Sequence, residues 1–438
     1  MNIDQESILK KMNIKALNPM QEEAIEIINK NDEVVLISDT GTGKTLAFLI
    51  PVVGGVDKEA ERVQALIITP TRELAIQIGQ VARDMGTGCK IEVVYGGRSI
   101  TKDKAELQHP PSILIGTPGR LADHLRRGTF DSSAIQTLVL DEYDKSLEIG
   151  FEEDITEILE YLTKVKKKIL TSATTLERIP RFLQLQSVVT VDYSKSTALG
   201  HNYKVVHCDG KDKLESLYKL LCTIGQEKVI VFINYKDAIA RISDYLKEKD
   251  VHHGVFHGSL DQRDRERTLI QFRNGSTNIM LATDLAARGI DVSDIASIIH
   301  YHYLPREEEY IHRNGRTARM QSSGDVYLLK GKGEDLPDYV DEASLVVWDI
   351  SRSDKHNHPT PPEWCTLYVS AGRKDKISKG DLAGVFFKQG GLEQGELGLI
   401  ELKRECAFVA VPKKKAYHLI EVLDNTRVKK RKVRVRDI

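Results

Sequence analysis

Short, near-continuous β-branched runs alternate with longer helical stretches twice along this chain, and that alternation restricts the fold more than any other feature. In the first half the runs lie at 34–37, 65–69, 113–116, 137–140 and 168–171; in the second they lie at 228–233, 254–257, 278–282, 297–301 and 325–329. Runs that are apolar at every position predict strands covered on both faces, as in parallel sheets flanked by helices. The expected fold class is therefore α/β, with two tandem parallel-sheet domains over residues 1–195 and 203–345. A polar stretch with Pro359, Pro361 and Pro362 reads as a spacer over 346–362, and a third unit occupies 363–438.

Composition sharpens this division. The net charge of −1 averages two unlike parts: residues 363–438 hold 17 Lys+Arg against 10 Asp+Glu, a net of +7, and the remainder carries 46 against 54, a net of −8. A basic tail on an acidic body suits an appended nucleic-acid-binding unit. Hydrophobic residues at 41% exclude wholesale disorder. The longest apolar stretch, 46–56, is interrupted by Pro51, Gly54 and Gly55 and is too short for a bilayer, so no membrane partner is expected. The first residues mix acids and bases where a signal peptide needs an apolar core, which predicts a cytoplasmic location. The five cysteines have no metal-ligand spacing, so neither zinc nor disulfides are expected.

Two elements carry chemistry. The strand at 34–37 runs into Ser38-Asp39-Thr40-Gly41-Thr42-Gly43-Lys44-Thr45 and then into a helix-forming stretch, the context of a phosphate-binding loop. Gly41 and Gly43 let backbone N–H groups converge on phosphate, Lys44 would reach the β and γ phosphates, and Thr45 would coordinate Mg²⁺. The run at 137–140 ends in Asp141-Glu142-Tyr143-Asp144, which puts carboxylates at the carboxyl end of a parallel strand. Asp141 could hold Mg²⁺ through water, and Glu142 could orient or deprotonate the attacking water.

With these elements in place, the chain resembles the DEAD-box RNA helicases over residues 1–345. SDTGTGKT at 38–45 is followed in the family order by PTRELA at 70–75, Gly96-Gly97, TPGR at 117–120, DEYD at 141–144 and SAT at 172–174. The second domain continues with VFIN at 231–234, His257-Gly258, Gln262 with Arg265, ATDLAARGID at 282–291 and HRNGRTAR at 312–319. The resemblance implies two RecA-like domains that use ATP and Mg²⁺ to unwind short RNA duplexes locally. It implies that Gln21 reads adenine, that Ser38, Thr40, Gly41, Thr42, Gly43, Lys44 and Thr45 surround the phosphates, and that Asp291 approaches the ribose. Arg316 and Arg319 would reach the γ-phosphate from the second domain, and Asp144, Ser172, Thr174 and His312 would couple the sites. Pro70, Thr71, Arg72, Gly97, Thr117, Arg120, Gly258, Arg265 and Thr283 would hold the RNA backbone.

Three positions depart from the family pattern. Asp4 stands where an aromatic residue stacks on adenine, Tyr143 replaces a small Ala, and His302 replaces an acid. The first two motivate an alternative expectation, an ATP-gated RNA clamp or scaffold with little turnover.

The last unit reads as βαββαβ, the order of an RNA-recognition motif, with strands at 366–370, 398–402, 407–411 and 432–435 and helices at 380–388 and 414–424. In the octapeptide signature laid over 404–411, Cys406 and Val411 replace two aromatics, which predicts a sheet face poor in base stacking. The segment resembles the RNA-binding domain of DbpA-type DEAD-box proteins. That resemblance implies recognition of 23S rRNA and a role on pre-50S particles, with Arg373, Lys374, Lys413 and Lys414 among the candidate contacts, in a protein acting as a monomer. General RNA remodelling without ribosomal specificity is the remaining alternative.

Overall fold

Both alternating halves fold as wholly parallel sheets in this computed structural model, which describes residues 5–39, 41–173, 180–194, 200–210, 212–284, 292, 295–317, 323–350 and 358–438. The chain divides into two compact units, the first built from the described residues up to Ser194 and the second from Gly200 onward. In the first unit the strands are β1 (Glu33–Ile37), β2 (Ala65–Ile68), β3 (Ile91–Val94), β4 (Ile113–Gly116), β5 (Thr137–Leu140), β6 (Lys167–Ser172) and β7 (Val189–Asp192), in the order β3-β4-β2-β5-β6-β1-β7. Adjacent residues feed opposite faces. Ile67 packs with Phe48 and Ile115 on one side of the sheet, and Leu66 with Leu114 and Leu138 on the other. Both sides are dry, which is why the strand sequences show no polar alternation.

The second unit repeats this plan with β8 (His201–His207), β9 (Lys228–Phe232), β10 (Gly254–Phe256), β11 (Ile279–Ala282), β12 (Ile295–His300), β13 (Gly324–Lys330) and β14 (Val346–Val347), ordered β10-β11-β9-β12-β13-β8-β14. Strand β8 begins at His201, so part of the stretch expected to link the domains is sheet, paired along its length with β13. The C-terminal module in the same unit is antiparallel, with β15 (Trp364–Val369), β16 (Ile400–Leu402), β17 (Ala407–Pro412) and β20 (Val435–Asp437) in the order β16-β17-β15-β20. Its helices Lys379–Lys388 and Lys413–Leu423 cover one face. The last strand starts later than expected, because Arg431–Lys432 (β19) pairs with Arg427–Val428 (β18) as a separate hairpin.

A buried arginine ties together several polar groups of the second unit. Arg313, 2% exposed, donates to Asn234 Oδ1 at 2.8 Å and to the His302 carbonyl at 2.9 Å, and pairs with Asp284. It also faces His300 Nδ1 at 3.3 Å, and because arginine only donates, that nitrogen accepts and His300 Nε2 donates to Asn314 Oδ1 at 2.8 Å. Burial, with the Arg313 charge, pushes the His300 imidazole down to about 3, against the opposing Asn314 hydrogen bond. A histidine lowered on folding binds fewer protons folded than unfolded, so stability is full above its ordinary value and is lost as pH falls. Between about pH 6 and pH 4 the second unit should lose about 1.4 kcal/mol per pH unit from this residue. Urea unfolding across that range measures the loss, and His300→Asn should flatten the dependence by that amount.

Candidate nucleotide and RNA sites

Every sequence-predicted side chain of the first unit that the structure describes lies at the carboxyl end of a parallel strand, in the turn that follows one or in the first turn of the next helix, except Gln21 on the helix Pro19–Lys30. The strand order sorts them. Glycine loop, DEYD and SAT follow β1, β5 and β6 in one half of the sheet, whereas PTR, Gly97 and TPGR follow β2, β3 and β4 in the other. Thr40 and Thr174 lie outside the described residues, as do Asp291 and Arg319 in the second half of the chain.

In the nucleotide half, Gly41 and Gly43 have φ of +86° and +89°, left-handed values that glycine adopts at least cost. A Cβ on Gly43 would also meet the Gln21 amide at 2.3 Å. Gln21 is held by a capping box with Asn18 and donates to the Gly43 carbonyl at 3.1 Å, while Asn18 donates to the Thr42 carbonyl at 2.9 Å. Ser38, where the general pattern has glycine, fits because its hydroxyl turns inward and donates to Thr42 Oγ1 at 2.9 Å. Lys44 folds back on the loop, donating to the carbonyls of Ser38 and, at 2.9 Å, of Asp39. Burial lowers the Lys44 ammonium from its ordinary range, and the charges of Asp141, Glu142, Asp144 and Asp39 oppose that shift. Thr45 opens the helix Lys44–Gly54 directly behind it.

Asp141 and Glu142 are 3% and 8% exposed. Thr171 on β6 joins them, since its hydroxyl donates to Asp141 Oδ1 and accepts from the Glu142 N–H at 3.2 Å. Glu142 holds φ of +47°, a strained value for a non-glycine residue and one that turns its side chain out of the strand direction. Burial pushes the Asp141 carboxyl up to about 7, with Glu142 adding to the rise and the Thr171 hydrogen bond and Lys44 opposing it. Such crowded acids suit a divalent cation. Among the described residues no group of three His, Cys, Asp or Glu is placed to hold a metal ion. Tyr143, 2% exposed, belongs to the apolar cluster with Ile37, Leu140 and Ile155.

In the other half, Thr71 caps the helix Arg72–Asp84 by accepting from the Leu74 N–H at 3.2 Å. Gly97 has φ of +87°, a left-handed value that favours glycine, and a Cβ there would push on the Arg72 guanidinium at 2.7 Å. Pro70 is buried; Thr117 precedes the helix Pro118–Arg126, which carries Arg120. The second unit repeats the layout, with Gly258 exposed after β10, Arg265 on the helix Gln262–Arg273 over the Phe256 ring, and Thr283 after β11. His312 and Arg316, 7% and 6% exposed, follow β12.

The C-terminal sheet corrects one expectation. Val411 faces the module's core, while the uncovered face carries Tyr368 and Phe408 edge to face at 5.8 Å, with the Arg436 guanidinium 4.7 Å over the Tyr368 ring. Two aromatics are thus available for stacking. A neighbouring part of the same face rests on the helix Gln262–Arg273 and the turn after it: Thr366 meets Ser276 at 2.6 Å and Asn274 at 3.2 Å, Arg273 pairs with Glu401 at 2.7 Å, and Lys403 with Glu266 at 2.8 Å. The helix Gln262–Arg273 therefore carries Arg265 and meets the module both at the adjacent Glu266 and at its end, Arg273. Arg373, Lys374, Lys413 and Lys414 are all exposed on the module's surface.

Comparisons with known proteins agree with this layout. Residues 18–182 match the DEAD/DEAH box helicase family, 212–321 the helicase conserved C-terminal domain and 366–437 the DbpA RNA binding domain. The chain is 31% identical to the ATP-dependent RNA helicase DbpA of Escherichia coli over 98% of its own length and 96% of that protein's. The chain belongs to the DbpA-type DEAD-box RNA helicases. The DbpA helicase of Bacillus subtilis is 30% identical over 95% of this chain and 93% of that one. Among solved structures, Saccharomyces cerevisiae Dbp5 bound to RNA and ADP BeF3 matches with a TM-score of 0.67 and 26% identity, covering 74% of this chain and 87% of that one. As an ATP-dependent RNA helicase of this family, the chain is an RNA-stimulated ATPase with two RecA-like domains and a small antiparallel RNA-binding domain.

Sequence reasoning passed over Thr171 and the Arg313 centre. Thr171 lies one position before SAT, and Arg313 within HRNGRTAR, so the motif borders were the available signal. Thr171→Val removes the hydroxyl that fixes both acids and keeps the shape. RNA-stimulated ATP turnover should fall about 10- to 100-fold while the thermal midpoint stays near wild type. Thr366→Lys should undock the module, and hydrogen exchange over 271–276 should then rise by about tenfold or more.

Proposed function

We propose that this helicase locally unwinds short RNA duplexes of 23S rRNA within pre-50S particles, as a cytoplasmic monomer. The observation that supports this reading most is the basic RNA-binding module packed against the helix Gln262–Arg273 within the second unit, which would hold one RNA element while the core works on its neighbour. Mg²⁺, held by Thr45 and, through water, by Asp141, would neutralise developing phosphate charge. Lys44 leaves its loop carbonyls for the β and γ phosphates, and Gln21 turns its amide to adenine. Ser38, Thr40, Gly41, Thr42 and Gly43 cradle the phosphates, and Asp291 reaches the ribose. Glu142 orients and deprotonates the attacking water. Arg316 and Arg319 stabilise the transferred phosphoryl group, while Asp144, Ser172, Thr174 and His312 report nucleotide state to the RNA contacts.

On the RNA side, Pro70, Thr71, Arg72, Gly97, Thr117, Arg120, Gly258, Arg265 and Thr283 grip sugar and phosphate without reading bases. ATP and RNA both bind best when the two units close, and that shared preference couples hydrolysis to strand separation. Arg373, Lys374, Lys413 and Lys414 select the ribosomal element. The buried Tyr143 favours turnover over a static clamp.

Stimulation of ATP hydrolysis by 23S rRNA fragments, compared with unrelated RNA of equal length, tests the substrate. A hairpin-bearing fragment should half-saturate at about 100-fold lower concentration than unrelated RNA, and removing residues 363–438 should erase the difference. Equal stimulation by all RNAs would overturn ribosomal specificity.

A further inference from the structure

Between the RNA-side strands of the first unit lies a buried charge cluster to which no role has been given. Asp103, on the helix Ile100–Leu107, is fully buried. Its Oδ2 accepts from Arg120 twice, from Nε at 2.8 Å and from Nη2 at 2.6 Å, and lies 3.2 Å from His124 Nε2. Its Oδ1 is 3.1 Å from Arg98 Nε. Arg98 in turn donates to the Val93 carbonyl at 3.0 Å and pairs with Glu106, and Arg120 Nη2 donates to the Arg98 carbonyl at 2.9 Å. His124 is fixed from its other side by Thr129 Oγ1 at 2.8 Å.

Two guanidiniums thus face two carboxylates, Asp103 and Glu106, at the carboxyl ends of β3 and β4. Burial works against the charged form of Asp103, but hydrogen bonds from His124 and Arg120 and the charge of Arg98 hold its carboxyl below the usual range. The carboxylate therefore stays charged wherever the protein is folded near neutral pH. A merely structural ion cluster would need no arginine at an RNA motif. Here the fixed groups are the last residue of TPGR and the residue directly after Gly97.

We propose that Asp103 is a positioning residue for RNA: it holds Arg120 and Arg98 in one rotamer each and cancels their surplus charge, so that they meet the RNA backbone as oriented donors. This rests on the reading of Arg120 as an RNA contact. Ordering a long side chain in advance spares its rotamer loss on binding, worth about 2- to 10-fold in affinity for each arginine. Cancelling the charge has a separate consequence, because fewer counterions are exchanged and binding depends less on salt.

The test is ATP hydrolysis by the full chain, titrated with a uniform oligouridine RNA at several salt concentrations. Asp103→Asn keeps the shape and removes the charge. At about 200 mM salt it should raise the half-saturating RNA concentration about tenfold, with turnover at saturating RNA within about threefold of wild type. The slope of log affinity against log salt should steepen by about 0.7, the signature of one more uncancelled charge on a single strand. If Asp103→Asn does not fold, Glu106→Gln at the rim should still steepen the slope. Arg120→Ala separates the two claims. If it leaves half-saturation unchanged, the RNA-contact reading fails. If it weakens RNA binding while folded Asp103→Asn, or Glu106→Gln in its place, changes neither half-saturation nor slope, the positioning role is overturned.

Discussion

Parallel strands joined by covering helices leave their carboxyl ends free, and the chemistry of this helicase depends on that constraint. A right-handed β-helix-β connection returns each strand in the same direction, so the turns after successive strands collect on one edge of the sheet. In the first unit that edge is shared: β1, β5 and β6 end in the nucleotide elements, and β2, β3 and β4 in the RNA elements. Because β2 and β5 are hydrogen-bonded neighbours, the two sets meet in the middle of one rigid sheet. The acids that follow β5 are therefore one strand away from the Pro70-Thr71-Arg72 turn that follows β2.

The nucleotide half illustrates how local strain and burial prepare chemistry. Lys44 rests on its own loop carbonyls, Gln21 on Gly43, and Thr171 on both Asp141 and Glu142. Each hydrogen bond satisfies a buried polar group that ATP would otherwise have to desolvate alone. The raised Asp141 carboxyl and the left-handed Glu142 backbone are the remaining tension in the site, and both lie at the reacting end. Tyr143 spends its bulk in the apolar layer under the turn, which explains how a large residue is tolerated among the acids.

The strands that positioned these elements were legible because both faces are dry, leaving unbroken runs such as Ala65-Leu66-Ile67-Ile68. The missed strands are edge or edge-proximal pieces with mixed sequences. Strand β3 reads Ile-Glu-Val-Val with a half-buried Glu92, and β8 reads His-Asn-Tyr-Lys-Val-Val-His, with Asn202 and His207 exposed and His201 and Lys204 half-buried. The phosphate loop and DEYD were legible from residue types because their chemistry demands glycine, lysine and paired acids at fixed spacing. Asp103 and Thr171 were not, since an acid in a short charged helix or a threonine in a strand has no pattern until the fold brings partners from distant positions. The face of the C-terminal sheet was misjudged for the same reason: one signature position, Val411, belongs to the core, and the second aromatic, Tyr368, comes from another strand.

Coupling between the two halves of the edge is the central claim, and steady-state ATP hydrolysis by the full chain tests it most directly. Turnover measured without RNA and at saturating RNA, for wild type and Glu142→Gln, should show a rise of at least about tenfold with RNA that the variant abolishes. Turnover that ignores RNA, or that survives in Glu142→Gln, would contradict the account.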